Sequence, residues 1–233
     1  IHRLHRGRSL LRPGSHCPRC RRPVAFYDNV PVISWILLRG RCRQCAKPIS
    51  WRYPLVECLG GALAAGVWRQ REGEWAWAAA ALAALIALLC VAFIDCDTFL
   101  IPDELSVGLA GAGILLSPLN PILGGASVWE RSAASAAGAV FGLALCWAVA
   151  AGGEKIFTRE AMGAGDVKLC GAVGALTGPQ ALGLVFVLTG LLGGIAALGL
   201  ATVRGRLRPV LAQTARLLLH LGRLLPRLPR QAG

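Results

Sequence analysis

Charge is scarce in this chain, and acid is scarcer still. Only 16% of its 233 residues are charged, with 12 Asp and Glu against 25 Lys and Arg, whereas a soluble domain averages roughly 25% charged. Hydrophobic residues make up 55%, which excludes a disordered basic protein. The 9 cysteines are too sparse, and too often set in apolar runs, for a secreted disulfide scaffold. The basic head lacks the apolar core of a secretory signal. The chain also lacks the glycine-rich fingerprint of a dinucleotide-binding strand–turn–helix unit, and it has no internal repeat.

The charge that is present sits at the two ends. Residues 1–52 hold twelve basic residues and one acid, Asp28; residues 204–233 hold seven arginines and no acid. Residues 53–203 hold six basic and eleven acidic residues. The formal net charge is +13 and the mean hydropathy +0.56. A nucleic-acid-binding domain would carry its basic face on a soluble core, and the middle of this chain is too apolar for one, so no nucleic-acid partner is expected. The pattern describes an integral membrane protein in a lipid bilayer, with its basic segments on one side.

A spanning helix needs about 20 mostly apolar residues. Trp75–Ile94, Ala133–Ala151 and Gln180–Val203 meet this directly, and Tyr53–Trp68, Glu104–Leu119 and Asp166–Gly178 are shorter candidates. The chain therefore reads as an all-α polytopic membrane protein of about six transmembrane helices, residues 54–203. A cytoplasmic basic head, residues 1–53, precedes them and a basic tail, residues 204–233, follows. In the tail, Arg216, His220 and Arg223 recur among leucines over Pro209–Leu225, the pattern of an interfacial amphipathic helix. An even number of spans keeps head and tail together on the cytoplasmic side. The glycine-rich stretches GALAAG, GLAGAG and GLLGG are expected to let helices approach closely.

The head contains CPRC at 17–20 and CRQC at 42–45, with 21 residues between them. Two CxxC knuckles at this spacing can arrange Cys17, Cys20, Cys42 and Cys45 tetrahedrally around Zn²⁺. Each is followed by a similar polar turn, so the head is expected to form a zinc-ribbon-like loop. Four thiolates leave no open coordination position, so the metal would be structural. Free thiols, or a redox-active pair, remain the alternatives. His16 is expected outside the ligand set, and Cys58, Cys90, Cys96, Cys146 and Cys170 as small core residues.

Acids at membrane spans are costly, and two stand out. Asp95 directly follows an uncharged span, and Asp166 opens another in MGAGDVKLCGAVGAL. In a six-span topology both lie at the cytoplasmic boundary, where they can meet. Two carboxylates in one low-dielectric site share a proton, which lets one activate water while the other polarises a peptide carbonyl. The bland reading is that Asp166 caps a helix and that Asp97, Asp103 and Glu104 are solvated loop charges. Glu57, inside a span, reads at least as readily as a partner for a loop arginine such as Arg52 as it does as a catalytic group.

The motifs together resemble those of the bacterial type IV prepilin peptidases. The paired CxxC precedes KPISWRYPLVE; then come ID-x-D-x-x-x-x-IPD at 94–103 and GAGD at 163–166, the GxGD signature of intramembrane aspartyl proteases. The resemblance extends to about residue 203. It implies an inner-membrane enzyme that cleaves the basic leader from type IV prepilins or pseudopilins at the cytoplasmic face. It also implies methylation of the new N-terminus with S-adenosylmethionine. On that pattern the catalytic pair is Asp95 and Asp166, since the first aspartate precedes the IPD proline by seven residues, and Asp97 is its understudy. Asp97, Asp103 and Glu104 are expected to attract the basic leader. Family members begin with a further helix ending in a GSFLN-like stretch and end with a PFGPFL-like one. Neither is present here, and the chain is expected to be truncated at its start. The competing classes are a noncatalytic zinc-ribbon transporter or assembly scaffold and a membrane thiol oxidoreductase.

Overall fold

The computed structural model describes residues 14–70, 74–125, 127–157 and 162–203. The expected tail helix over 209–225 and the first thirteen residues of the head lie outside them. Among the described residues the regular structure is helical, with two isolated β-bridges and no strand. The helices are α1 (Ile33–Leu37), α2 (Arg52–Gln70), α3 (Trp75–Thr98), α4 (Asp103–Leu115), α5 (Val128–Phe157) and α6 (Ala164–Val203).

All six expected spans fall on helices, but among the described residues only α3, α5 and α6 are long and apolar enough to cross a membrane. At about 1.5 Å per residue, the 13 residues of α4 reach roughly 20 Å, short of the ~30 Å hydrocarbon core. The chain continues past α4 in two single-turn 3₁₀ helices, Ser117–Leu119 and Pro121–Leu123, with Asn120 between them. Apolar side chains remain on the outside of α5, among them Val140, Phe141 and Trp147, as a lipid-facing surface requires.

α6 is interrupted at Gly178, whose φ of 77° and ψ of 168° leave the helical region, and Pro179 follows. Here the sequence reading separates two spans. Proline has no N–H to return to the carbonyl four residues earlier, that of Ala175. Ser135 of α5 donates its hydroxyl to that carbonyl at 2.8 Å, and Asn120 donates its amide to the next one, Leu176, at 2.7 Å. Ser135 and Asn120 are both fully buried. In lipid an unsatisfied carbonyl costs several kcal/mol, so these two side chains make the break tolerable. Beyond it Leu182 comes back against Gly142 and Gly174. Packing divides the chain after Leu182; of the second unit, Gly183–Gly233, residues 183–203 are described and are helical.

The first half of α6 packs between α4 and α5. A Cβ added at Gly138 would lie 2.1 Å from the Gly174 carbonyl oxygen, and one at Gly142 would lie 2.4 Å from that of Cys170. On the other side Gly113 of α4 meets Ala175. The close approach therefore comes from Gly138, Gly142 and Gly174. In GLAGAG only Gly113 is in such contact, and the glycines of GALAAG have open space around them. That is a correction to the sequence expectation: glycine permits close packing, but a facing backbone is what uses it. The cysteines divide similarly. Cys146 is buried and Cys90 and Cys170 are half-buried, but Cys58 and Cys96 are exposed rather than in the core.

Gly138→Ala should therefore cost several kcal/mol, since no backbone shift of a few tenths of an ångström relieves such an overlap. Gly60→Ala, with nothing within 4 Å, should be neutral or stabilise by about 0.5–1 kcal/mol through helix propensity. Thermal unfolding of the two variants in detergent checks the contrast.

Candidate active site and metal centre

Asp95 and Asp166, far apart in sequence, line the same cleft of about 720 Å³. Its walls are the C-terminal end of α3, the 99–102 connection, and the first turns of α4 and α6. α3 ends because Phe99 takes the left-handed conformation, φ 53°, and its N–H bonds back to the Asp95 carbonyl at 2.8 Å. The Thr98 hydroxyl donates to the Ile94 carbonyl at 2.9 Å. On the opposite wall the Asp166 N–H bonds to the Gly163 carbonyl at 3.1 Å as α6 begins. Asp166 thus lies in the first turn of α6, where the helix dipole favours a carboxylate.

The two motifs touch through backbone-sized contacts. A Cβ at Gly165 would come within 3.0 Å of the Ile101 Cβ. Gly165 thus lets the GAGD turn close onto the IPD connection, and that closure brings Asp166 to the wall opposite Asp95.

Asp95 and Asp97 separate by helix geometry. Residues two apart on an α-helix point about 200° away from each other, so only one can face the cleft. Asp95 lines it; Asp97 instead forms an ion pair with Arg52 at the start of α2. Arg52 was the partner proposed for Glu57. The structure corrects this: Glu57 accepts a hydrogen bond from the Val32 N–H at 2.7 Å. Val32, at φ 61° just before α1, presents that N–H to the carboxylate.

Of the three acids expected to attract a basic leader, Asp103 and Glu104 line the cleft and Asp97 does not; Asp97 pairs with Arg52, and Asp103 with Lys168 at 2.7 Å. Lys168 lines the cleft and was missed by sequence reasoning. The signal available was a lone cation two residues after Asp166, in a stretch otherwise apolar.

The head is built on two matching knuckles. In the first the Cys17 N–H bonds to the Arg22 carbonyl and the Arg21 N–H to the Cys17 carbonyl; in the second Cys42 bonds to Lys47 and Ala46 to Cys42 in the same way. Arg21 and Ala46, each just after the second cysteine of its pair, both take positive φ, 58° and 53°. Two isolated antiparallel bridges, His16 with Pro23 and Arg41 with Pro48, close the two knuckles alike. His16 stands outside the sulfur cluster, its Nδ1 at 3.0 Å from the Gly14 carbonyl oxygen.

The four sulfurs of Cys17, Cys20, Cys42 and Cys45 lie within 4.8 Å of one another, those of Cys17 and Cys45 at 3.9 Å. A tetrahedral site with metal–sulfur bonds of about 2.3 Å has sulfurs about 3.8 Å apart, so the cluster has the size and donor set to hold a metal. Its protonation is unevenly shared. The Cys20 backbone N–H chiefly holds the Cys17 thiol down to about 6, with burial opposing. At Cys45 the Lys47 N–H favours the thiolate, but burial and the Cys42, Cys20 and Cys17 sulfurs outweigh it and push it up to about 11. Four sulfurs this close cannot all ionise without a cation among them.

Residues 1–70 match the Bacterial Peptidase A24 N-terminal domain, and residues 82–198 match the Type IV leader peptidase family. The chain belongs to that family. It is similar to the prepilin leader peptidase/N-methyltransferase of Aeromonas hydrophila, 38% identical over 196 residues, covering 84% of this chain and 65% of the relative. The Neisseria gonorrhoeae protein of the same name is 36% identical over 199 residues, 85% of this chain and 66% of that one. The Myxococcus xanthus protein is 37% identical over 211 residues, 90% and 60%. The chain thus spans less than two thirds of the length of these curated relatives. No solved structure matches it.

Two outcomes follow from this geometry. Gly165→Ala should destabilise the protein by about 1–3 kcal/mol through overpacking against Ile101, and Ile101→Ala should restore part of it. A double-mutant cycle by thermal unfolding reads the coupling. The purified chain should take up one metal ion per molecule by elemental analysis. Cys17→Ser or Cys42→Ser should abolish that uptake, and Cys58→Ser or Cys96→Ser should leave it intact.

Proposed function

We propose that this chain is a membrane aspartic endopeptidase that removes the basic leader from type IV prepilins or pseudopilins. The observation that carries the reading is the convergence of Asp95 and Asp166 on one cleft at the ends of membrane-length helices. Membership of the leader peptidase family and the names of the relatives supply the substrate class.

In this mechanism the pair works with one proton between its members. The ionised carboxylate takes a proton from water, and the protonated one donates to the carbonyl oxygen of the scissile peptide. Collapse of the tetrahedral adduct breaks the C–N bond, and the proton taken from water passes to the leaving amine. No covalent enzyme intermediate is required. The substrate's apolar helix lies in the bilayer, with its leader on the side of the basic head. The positive-inside rule puts that head, and the cleft tied to it through Arg52 and Asp97, at the cytoplasmic face of the inner membrane.

The head's four-sulfur site is assigned to Zn²⁺ held by Cys17, Cys20, Cys42 and Cys45. Bound there, the ion supplies cross-linking rather than catalysis, because four thiolates fill its coordination sphere. Methylation of the new N-terminus is proposed from the relatives' names. The described residues offer no strand–turn–helix cradle for S-adenosylmethionine.

Asp95→Asn and Asp166→Asn should each lower leader removal by about 10²–10⁴-fold, the usual worth of general acid–base groups. Asp97→Asn should retain most activity. Membranes carrying each variant, incubated with a prepilin, provide the measurement. Undiminished cleavage in either of the first two would overturn the pair.

A further inference from the structure

The short helix α1 is inside out. Its two inner residues are Ser34, buried with its hydroxyl on the Tyr27 carbonyl at 2.9 Å, and Trp35, whose indole N–H reaches the Ile49 carbonyl at 3.2 Å. Trp35 also packs on Gly40, where an added Cβ would lie 2.9 Å from the indole. Its outer residues are Ile33, Ile36 and Leu37, at the i, i+3 and i+4 positions that share one helix face. Leu37 is 76% exposed and Ile36 61%, and Phe26 in the preceding turn is 86% exposed. A head surrounded by water would place these residues the other way round.

Two tie points fix where this face sits. Glu57 of α2 holds the Val32 N–H at the start of α1, and Arg52 of α2 pairs with Asp97 near the C-terminal end of α3. α3 is a membrane-length helix. The apolar face of α1 is therefore tethered at the end of a span, the level of a bilayer's interface. Charge identifies what it meets there. Asp28 is the only acid in residues 14–51 and is already gripped by Arg43, at 2.7 and 2.8 Å. Arg19, Arg21, Arg22, Arg39, Arg41 and Lys47 are left with no acid in the head to answer them.

We propose that α1 and the Phe26 turn form an in-plane docking surface for anionic lipid. Ile33, Ile36, Leu37 and Phe26 insert at the acyl boundary, and the unanswered basic residues of the same head segment supply the charge that anionic headgroups meet. An apolar face on a strongly basic segment is the combination that binds an anionic membrane surface. The basic leader of the proposed substrate has the same sign as this segment and is repelled by it. The surface is separate from the Asp95–Asp166 cleft, so the inference goes beyond the catalytic reading.

The test places a photoactivatable benzophenone amino acid at residue 36 or 37 of the full chain in nanodiscs. Controls carry it at Ile86, an exposed residue within α3, and at Gln44, which is held by Arg22 between the knuckles. Irradiation followed by mass spectrometry should give lipid adducts at 36 and 37 as it does at 86, and few at 44. The yield at 36 should be several-fold higher in phosphatidylglycerol than in phosphatidylcholine. Adducts at 86 but not at 36 or 37, equal yields at 36 and 44, or equal yields in the two lipids would overturn the proposal. So would capture of added prepilin in place of lipid.

Discussion

The carboxylate end of this protein depends on one steric constraint, the approach of α5 and α6 until their backbones touch. Gly138 and Gly174 leave no room for a side-chain carbon between them. With Gly113 and Ala175 packed on the other side, the first half of α6 is gripped from two directions. Asp166 lies eight residues before Gly174, so its position is set by a rigid helical lever about 12 Å long. A loosening of that grip would be felt at the cleft before anywhere else, because the lever ends there.

The same grip creates a polar problem and solves it locally. Breaking α6 at Gly178–Pro179 strands two carbonyls in an apolar interior. Ser135 and Asn120, each supplied by a neighbouring segment, donate to them. These side chains do more than fill space: they give the carbonyls at the break their donors. In the fold, Ser135 and Asn120 mark where α6 is interrupted.

Legibility in the sequence followed the kind of interaction. The cysteine knuckles were readable because their spacing is local: four cysteines in two CxxC units leave the chain few choices. The aspartate motifs were readable for the opposite reason, since a carboxylate at the end of an apolar run is expensive enough to be noticed. The pairings among the remaining acids were not readable. Arg52 has Glu57 five residues away, but it pairs with Asp97, 45 positions on, because α2 runs back along α3 and puts their ends together. Likewise the glycines that matter, 138, 142 and 174, are no different in composition from Gly60 and Gly66. Only the presence of a facing backbone distinguishes them, and that is a property of the assembled helices.

The scarcity of acid is itself informative once the pairings are known. Around the head and the adjoining helix ends, Asp28 is held by Arg43, Asp97 by Arg52, Asp103 by Lys168 and Glu57 by the Val32 N–H. Each of these carboxylates has a structural partner that accounts for its presence. Asp95 and Asp166 have no ion pair among the described residues, although several basic groups lie at the same end of the bundle. Helix geometry turns Asp95 away from the arginine that takes Asp97, and Gly165 closes the GAGD turn onto Ile101 rather than onto a cation. Among the described residues, Asp95 and Asp166 line one cleft without an ion pair, and Glu104 lines it beside them. Asp95 is half-buried at the end of α3 and Asp166 is exposed in the first turn of α6, so the cleft holds one shielded carboxylate and one open to solvent.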